Sequence, residues 1–295
     1  EQGYYDRLGF GTGAYVHRLQ CDPAQIRVPV PDRIPRRLTA DDWARMHAAR
    51  LGRWRCHGAV SLTSPAATRA HTLWPKHAFG LGFEDADGNL THHFWCETDN
   101  PARGPYRVAW TAWQTPAQYL ELLGLLRSLG DQVRLVRLTE PAGIQLQDLL
   151  DRPFREFEVR ENGRFPLRHE SYAWWQMRML DVPACLAATH LKAPSLRFNL
   201  TLSDPVERFL DTDSPWRGCA GTYVVTLGPE CSAVRGTDPS LPTLEATVNA
   251  FTRLWLGVRP ATGLAVTDAL CGPPELLAAL DDTLRLPQPL TDWDF

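Results

Sequence analysis

The chain has 295 residues and a formal net charge of -3, with 44% hydrophobic and 22% charged residues. That length exceeds one ordinary domain and suits two, with part of a third. Mixed charge of this kind lacks the concentrated basic face that nucleic-acid binding needs, and no apolar run approaches the roughly 18 to 20 residues of a membrane span. No charged-then-apolar leader follows Glu1, so a leader would have to precede it. The arginines form two small clusters, Arg33, Arg36 and Arg37, then Arg50, Arg53 and Arg55, which read as solvated linker and helix faces. Seven cysteines, odd in number and without a C-x-x-C pair, point to reduced thiols and a cytoplasmic setting.

Residues 1 to about 20 read as a glycine-punctuated turn and then a strand carrying Ala14, Val16 and Leu19. A lone strand is marginal in water, so this piece is expected to need partners from an N-terminal domain ahead of it or from another chain. Pro23, Pro29, Pro31 and Pro35 mark an extended linker. Thr39 with Asp42 three residues on is a capping pattern that opens a helix through Trp43, Met46 and His47. The segments Leu81–Phe83 and Thr91–Glu97 flank Asp85-Ala86-Asp87-Gly88-Asn89, residue types that tolerate positive φ, which predicts a hairpin. A strand over Tyr106–Trp113, a helix from Pro116 to Leu129 and a strand over Val133–Leu138 follow, the helix carrying one stripe of Tyr119, Leu122, Leu123, Leu126 and Leu129. This order predicts a helix laid over a sheet.

Beyond Trp174 a buried strand is expected to run into a helix starting at Pro183, where a missing N–H costs nothing. Leu196, Phe198, Leu200 and Leu202 alternate with Arg197, Asn199, Thr201 and Ser203, a strand with one apolar face, and Tyr223–Leu227 is the next strand. Thr243 reads as the cap of a helix bearing Leu244, Val248, Phe251 and Trp255 and ended by Gly257; a last helix begins near Pro273 and Pro274. Asn89 and Asn199 sit in glycosylation sequons but read as ordinary turn and strand residues.

Two segments carry a family resemblance. Gly3-Tyr4-Tyr5-Asp6-Arg7-Leu8-Gly9-Phe10-Gly11 resembles the Y-x-R-x-G-[YF]-G stretch near the end of a GNAT acyltransferase domain in the Eis (enhanced intracellular survival) N-acetyltransferases, with Asp6 where glycine is common. Trp174 through Leu186 is similar to the W-x-R-[LI]-[LM]-[DN]-V-P-A-A-L segment that joins the central GNAT-like domain of those proteins to their last domain. The resemblance implies an α/β (α+β) chain in three parts: residues 1–30 as the last strands of an N-terminal GNAT domain plus linker, 31–182 as a central GNAT-like α/β domain, and 183–295 as a sterol-carrier-protein-2-like α+β domain. It implies acetyl-CoA as co-substrate, amines of aminoglycoside or lysine type as acceptors, and a homo-oligomer, a hexamer being one form in that family. The acetyl-CoA segment, R/Q-x-x-G-x-G/A, is expected upstream of Glu1, so that this chain is the C-terminal part of a longer protein and holds the donor poorly by itself. The alternative is a non-catalytic module that binds an apolar ligand or a partner.

Moving an acetyl group from a thioester to an amine requires that the amine lose a proton and the thiolate be protonated or stabilised. By the resemblance Tyr5 supplies the acid, and a phenol with a reference pKa of about 10 is protonated at neutral pH. The Phe295 carboxylate would be the base. Asp292 and Asp294 place like charge beside it, and Trp293 and the Phe295 ring can exclude water, influences that raise a carboxylate pKa. The same acidic residues, with Trp293, would draw in a cationic amine. No other constellation competes. Gly9-Phe10-Gly11-Thr12-Gly13 has the wrong spacing for a dinucleotide loop, no G-x-S-x-G elbow is present, and His71, His77, His92 and His93 lack further ligands at metal-site spacing, so no metal is expected.

Overall fold

The computed structural model describes residues 2–57, 64–102, 104–151 and 167–291. In chain order, helix α1 (Gln2–Asp6) precedes strands β1 (Gly11–Thr12), β2 (Val16–Cys21) and β3 (Arg36–Leu38). Helices α2 (Trp43–Leu51) and α3 (Pro65–Leu73), strands β4 (Ala78–Glu84), β5 (Leu90–Glu97) and β6 (Tyr106–Ala112), helix α4 (Pro116–Ser128) and strand β7 (Val136–Thr139) follow. Then come β8 (Arg168–Tyr172), β9 (Gln176–Met177), the helix Val182–Ala187, β10 (Leu196–Ser203), β11 (Gly221–Leu227), β12 (Ser232–Arg235) and β13 (Thr243–Thr247). The helices Val248–Trp255 and Ala261–Thr267, strand β14 (Leu270–Cys271) and the helix Pro274–Thr283 complete the order. The mixed α/β class matches the sequence reading.

The chain divides into two compact units, with breaks at Tyr15/Val16, Tyr172/Ala173 and Pro289/Leu290. The unit running from Val16 to Tyr172 is built on a seven-stranded sheet of order β3-β4-β5-β6-β7-β2-β8. The expected hairpin is its β4–β5 pair: the Asp85 carboxylate accepts from the Asp87 and Asn89 backbone N–H groups at 3.0 and 2.8 Å, and Gly88 takes φ +80°. β6 and β7 run parallel, as the crossover through α4 requires. α4 starts at a capping box, Thr115 with Gln118, and buries Tyr119, Leu122, Leu123 and Leu126 against Leu19, Phe94, Val108, Val136 and Leu138. The Thr39/Asp42 box is also present, with Thr39 N–H donating to the Asp42 carboxylate at 2.9 Å, although one turn of 3-10 helix (Ala40–Asp42) intervenes before α2.

Strand β2 pairs with β7 and β8 of the same chain, Leu19 lying opposite Leu138 on one side and His169 on the other. The partners that this strand needs therefore come from residues more than 100 positions away, not from outside the chain. The proline segment is packed only at its start, where Ile26 and Val28 are buried and a Cβ at Gly124 of α4 would come within 2.2 Å of the Pro29 carbonyl oxygen; Val30 and Ile34 are exposed. Arg50, read as a solvated charge, is 4% exposed and lies 4.6 Å above the Trp110 ring, and burial lowers its pKa to about 10.

The other unit joins the N-terminal residues through Tyr15 to Ala173–Pro289. Its five-stranded sheet has the order β12-β11-β10-β13-β14, and its core packs Phe198, Leu200, Leu202, Tyr223, Val225 and Leu227 of the sheet against Leu186, Phe251, Leu254 and Leu280 of the helices. Thr243 is not a helix cap. Residues 243–247 form β13, parallel to β10, and Thr247 caps the following helix by accepting from Ala250 N–H. Leu244 still faces the core because a strand and a helix can bury the same residue. Asn199 breaks the polar face of β10: it is 5% exposed, donates to the Asp238 and Leu241 carbonyls at 2.7 and 3.0 Å, and accepts from Asp238 N–H at 2.8 Å. Those bonds satisfy a buried amide, and they also leave the second sequon inaccessible. α1, where a turn was expected, is a single helical turn.

Candidate active site

Tyr5 stands on α1, 43% exposed, with its ring edge-on to Phe10 at 5.7 Å and to Tyr4 at 5.3 Å. Its carbonyl ends the turn by accepting from Leu8 N–H at 2.9 Å and Phe10 N–H at 3.2 Å. One short turn has little stability of its own, so the position of the phenol depends on what clamps residues 6–13.

Three clamps do so, all within one unit. The Asn249 side chain donates to the Asp6 carbonyl at 2.8 Å, the Asp6 carboxylate at 3.0 Å and the Phe10 carbonyl at 3.2 Å. Asp6, which departs from the family glycine, is thereby an acceptor for a residue 243 positions later. Arg178 donates to the Leu8 carbonyl and, at 2.5 Å, to the Asp204 carboxylate, with its guanidinium 4.9 Å from the centre of the Trp216 ring. Trp175 accepts at its carbonyl from Gly13 N–H at 2.9 Å. Arg178 and Trp175 belong to the second family-like segment, so the two stretches singled out in the sequence touch each other.

Gly9, Gly11 and Gly13 are explained by the same contacts. Gly9 has φ +85°, and a Cβ there would lie 2.0 Å from the Arg178 guanidinium. At Gly11 it would lie 2.5 Å from the Asn249 carbonyl, and at Gly13 2.1 Å from the Trp175 ring. Gly9, Gly11 and Gly13 mark places where backbone meets a clamping residue closely, whereas a Cβ at Gly3 would meet nothing within 4 Å. β1 then pairs with β9, Gly11 opposite Met177.

Arg178 and Asp204 are a buried pair, their side chains 3% and 0% exposed. Asp204 also accepts from Cys219 N–H at 2.8 Å and Val206 N–H at 3.1 Å, so every oxygen of the buried carboxylate is engaged. Of the pair, only the Arg178 Nε is buried without a partner, and hydrogen bonding this extensive is what lets a buried pair persist.

Phe295, Asp294, Asp292 and Trp293 lie outside the described residues. Neither Asn249 nor Asp204 was legible as part of this region, since nothing local in the sequence distinguishes a clamping asparagine on a helix from a surface one. His92 and His93 are structural: His92 Nε2 bonds the Glu121 carboxylate at 2.8 Å, and His93 Nε2 accepts from Trp110 Nε1 at 3.1 Å. All seven cysteines are free thiols. Among the described residues no helix is long and apolar enough to cross a membrane.

The fold is that of GNAT-type N-acetyltransferase structures. A probable N-acyltransferase from Enterococcus faecalis V583 superposes with a TM-score of 0.77 at 16% identity, over 100% of this chain and 70% of that one. The GCN5-related N-acetyltransferase from Anabaena variabilis ATCC 29413 gives 0.76 at 12% identity, over 99% and 70%. Eis1 from Mycobacterium abscessus gives 0.70 at 18% identity, over 100% and 71%. At these identities the likeness is one of fold. No family model and no curated protein matches the sequence.

Proposed function

We propose that the protein is an N-acetyltransferase that transfers the acetyl group of acetyl-CoA to an amine of aminoglycoside or lysine type. The observation that carries this reading is the clamp on Tyr5: on a chain with an acetyltransferase fold, the tyrosine-bearing segment is fixed by Arg178 and Trp175 of the second family-like segment. A half-exposed phenol on a short, firmly held turn is suited to donate a proton. In the reaction the amine nitrogen attacks the thioester carbonyl carbon, the carbon–sulfur bond breaks, and the coenzyme A thiolate takes the Tyr5 proton. The Phe295 carboxylate takes the proton lost by the amine, while Asp294, Asp292 and Trp293 gather the cationic acceptor. Acetyl-CoA itself is assigned to residues ahead of Tyr5 in the gene product, and the working form to a homo-oligomer.

The test is coenzyme A release by the complete gene product on a panel of amines. Tyr5→Phe is expected to lower kcat by about 100-fold or more if general-acid catalysis is lost. Deleting Phe295 should abolish turnover while circular dichroism stays unchanged. Undiminished turnover in either variant refutes that residue's role, and no release with any amine refutes the reaction.

A further inference from the structure

A group of metal-ligating side chains lies in the unit built on the seven-stranded sheet. His17 is on β2, Glu140 follows β7 and His169 is on β8. Leu19 of β2 pairs with Leu138 on one side and His169 on the other, and Glu140 N–H donates to the His17 carbonyl at 2.8 Å. Because side chains alternate along a strand, His17 shares a face with Leu19, Glu140 with Leu138, and all three candidate ligands therefore project from the same face of three adjacent strands, with His169 diagonal to His17. One ligand atom from each lies within 4.8 Å of the others.

We propose that His17, Glu140 and His169 bind one divalent transition-metal ion, with Zn²⁺ the best match. Two imidazoles and a carboxylate are the donor set of open zinc sites and of facial two-histidine, one-carboxylate sites. Glu140 is only 9% exposed, and its carboxylate accepts from Leu146 N–H at 2.7 Å, which fixes its plane and leaves acceptor capacity for an ion. The histidine rings, 5.7 Å apart and tilted by 56°, are parted but not stacked. Ligands at about 2.0 to 2.2 Å from a common ion fall within 4.8 Å of one another, as the three ligand atoms here do. His169 is exposed, which gives the ion a route in and leaves coordination positions to water. Bound there, the ion ties the edge strand β8 to β2 and β7.

The experiment titrates chelator-stripped protein with ZnCl₂ by calorimetry, and with Co²⁺ by visible absorption. Wild type should take up one ion per chain with Co²⁺ ligand-field bands, and its thermal midpoint should rise with Zn²⁺. His169→Ala and Glu140→Gln should each weaken Zn²⁺ binding at least about tenfold, the loss that even an outer partner of a ligand causes. Because His169 is exposed, its variant should match wild type in circular dichroism and thermal midpoint when EDTA is present. Equal Zn²⁺ affinity in wild type and His169→Ala, or no saturable binding by wild type, overturns the proposal.

Discussion

Replacing Arg178 by alanine removes the hub of the Tyr5 clamp. With side chains 3% and 0% exposed, Arg178 and Asp204 sit where solvent screening is weak, so the surface-pair value of 0 to about 1 kcal/mol does not apply. Breaking one side of a buried pair costs about 3 to 5 kcal/mol because the remaining charge is left unpaired. The Leu8 carbonyl loses its donor in the same step and the Trp216 ring loses its cation. Arg178→Ala should therefore destabilise its unit by about 3 to 5 kcal/mol in urea titrations. Asp204→Ala should cost a similar amount, and the double variant should fall short of the sum by about 1 to 3 kcal/mol. Hydrogen exchange locates the effect: amides of β10, β11 and β13 should lose protection while those of β4 to β6 keep theirs. A loss below about 1 kcal/mol for Arg178→Ala, or additive behaviour in the double variant, refutes the assignment of the pair as a buried clamp.

Gly13→Ala sets a methyl about 2.1 Å from the Trp175 ring and should cost about 1 to 3 kcal/mol of stability, read by the same urea titration. Burial, reinforced by Arg50 and His92, holds the His93 pKa down to about 3 from a reference of 6.5. The native state thus binds fewer protons than the unfolded chain between those values, so stability is full above pH 6.5 and falls as pH drops through that window, with a slope of up to about 1.4 kcal/mol per pH unit. His93→Gln should flatten the fall between pH 6.5 and 4.5, roughly the range before carboxylates titrate; an unchanged slope counts against the buried neutral ring. Iodoacetamide at pH 8 should label Cys271, which is exposed, far faster than Cys21, whose thiol burial pushes up to about 12, and peptide mass spectrometry reads the order.

Local chemistry made much of the fold legible. Asp85 to Asn89 and Thr39 with Asp42 are each complete within a few residues, so their turn and cap could be read from spacing. Thr243 was misread for a physical reason: Leu244, Val248, Phe251 and Trp255 fit helical spacing, while the pairing of residues 243–247 with β10 is a tertiary event. Asn199 looked like a solvent-face residue until the Asp238–Leu241 loop supplied its partners. Of the site, Tyr5, Arg178 and the glycines were marked by pattern, but their purpose was not, because Asn249 and Asp204 meet them only in the folded chain. His17, Glu140 and His169 lie still further from legibility, since strands far apart in order bring them together.

The discontinuity of the unit that holds Tyr5 orders the events of biosynthesis. Residues 16–172 form an uninterrupted stretch whose sheet can close as soon as Tyr172 has cleared the ribosome. The glycine-rich opening gains its Asn249 contacts only once that residue, 243 positions after Asp6, is synthesised. A nascent chain stalled before that point would carry the complete seven-stranded sheet and a Tyr5 segment short of one of its three clamps.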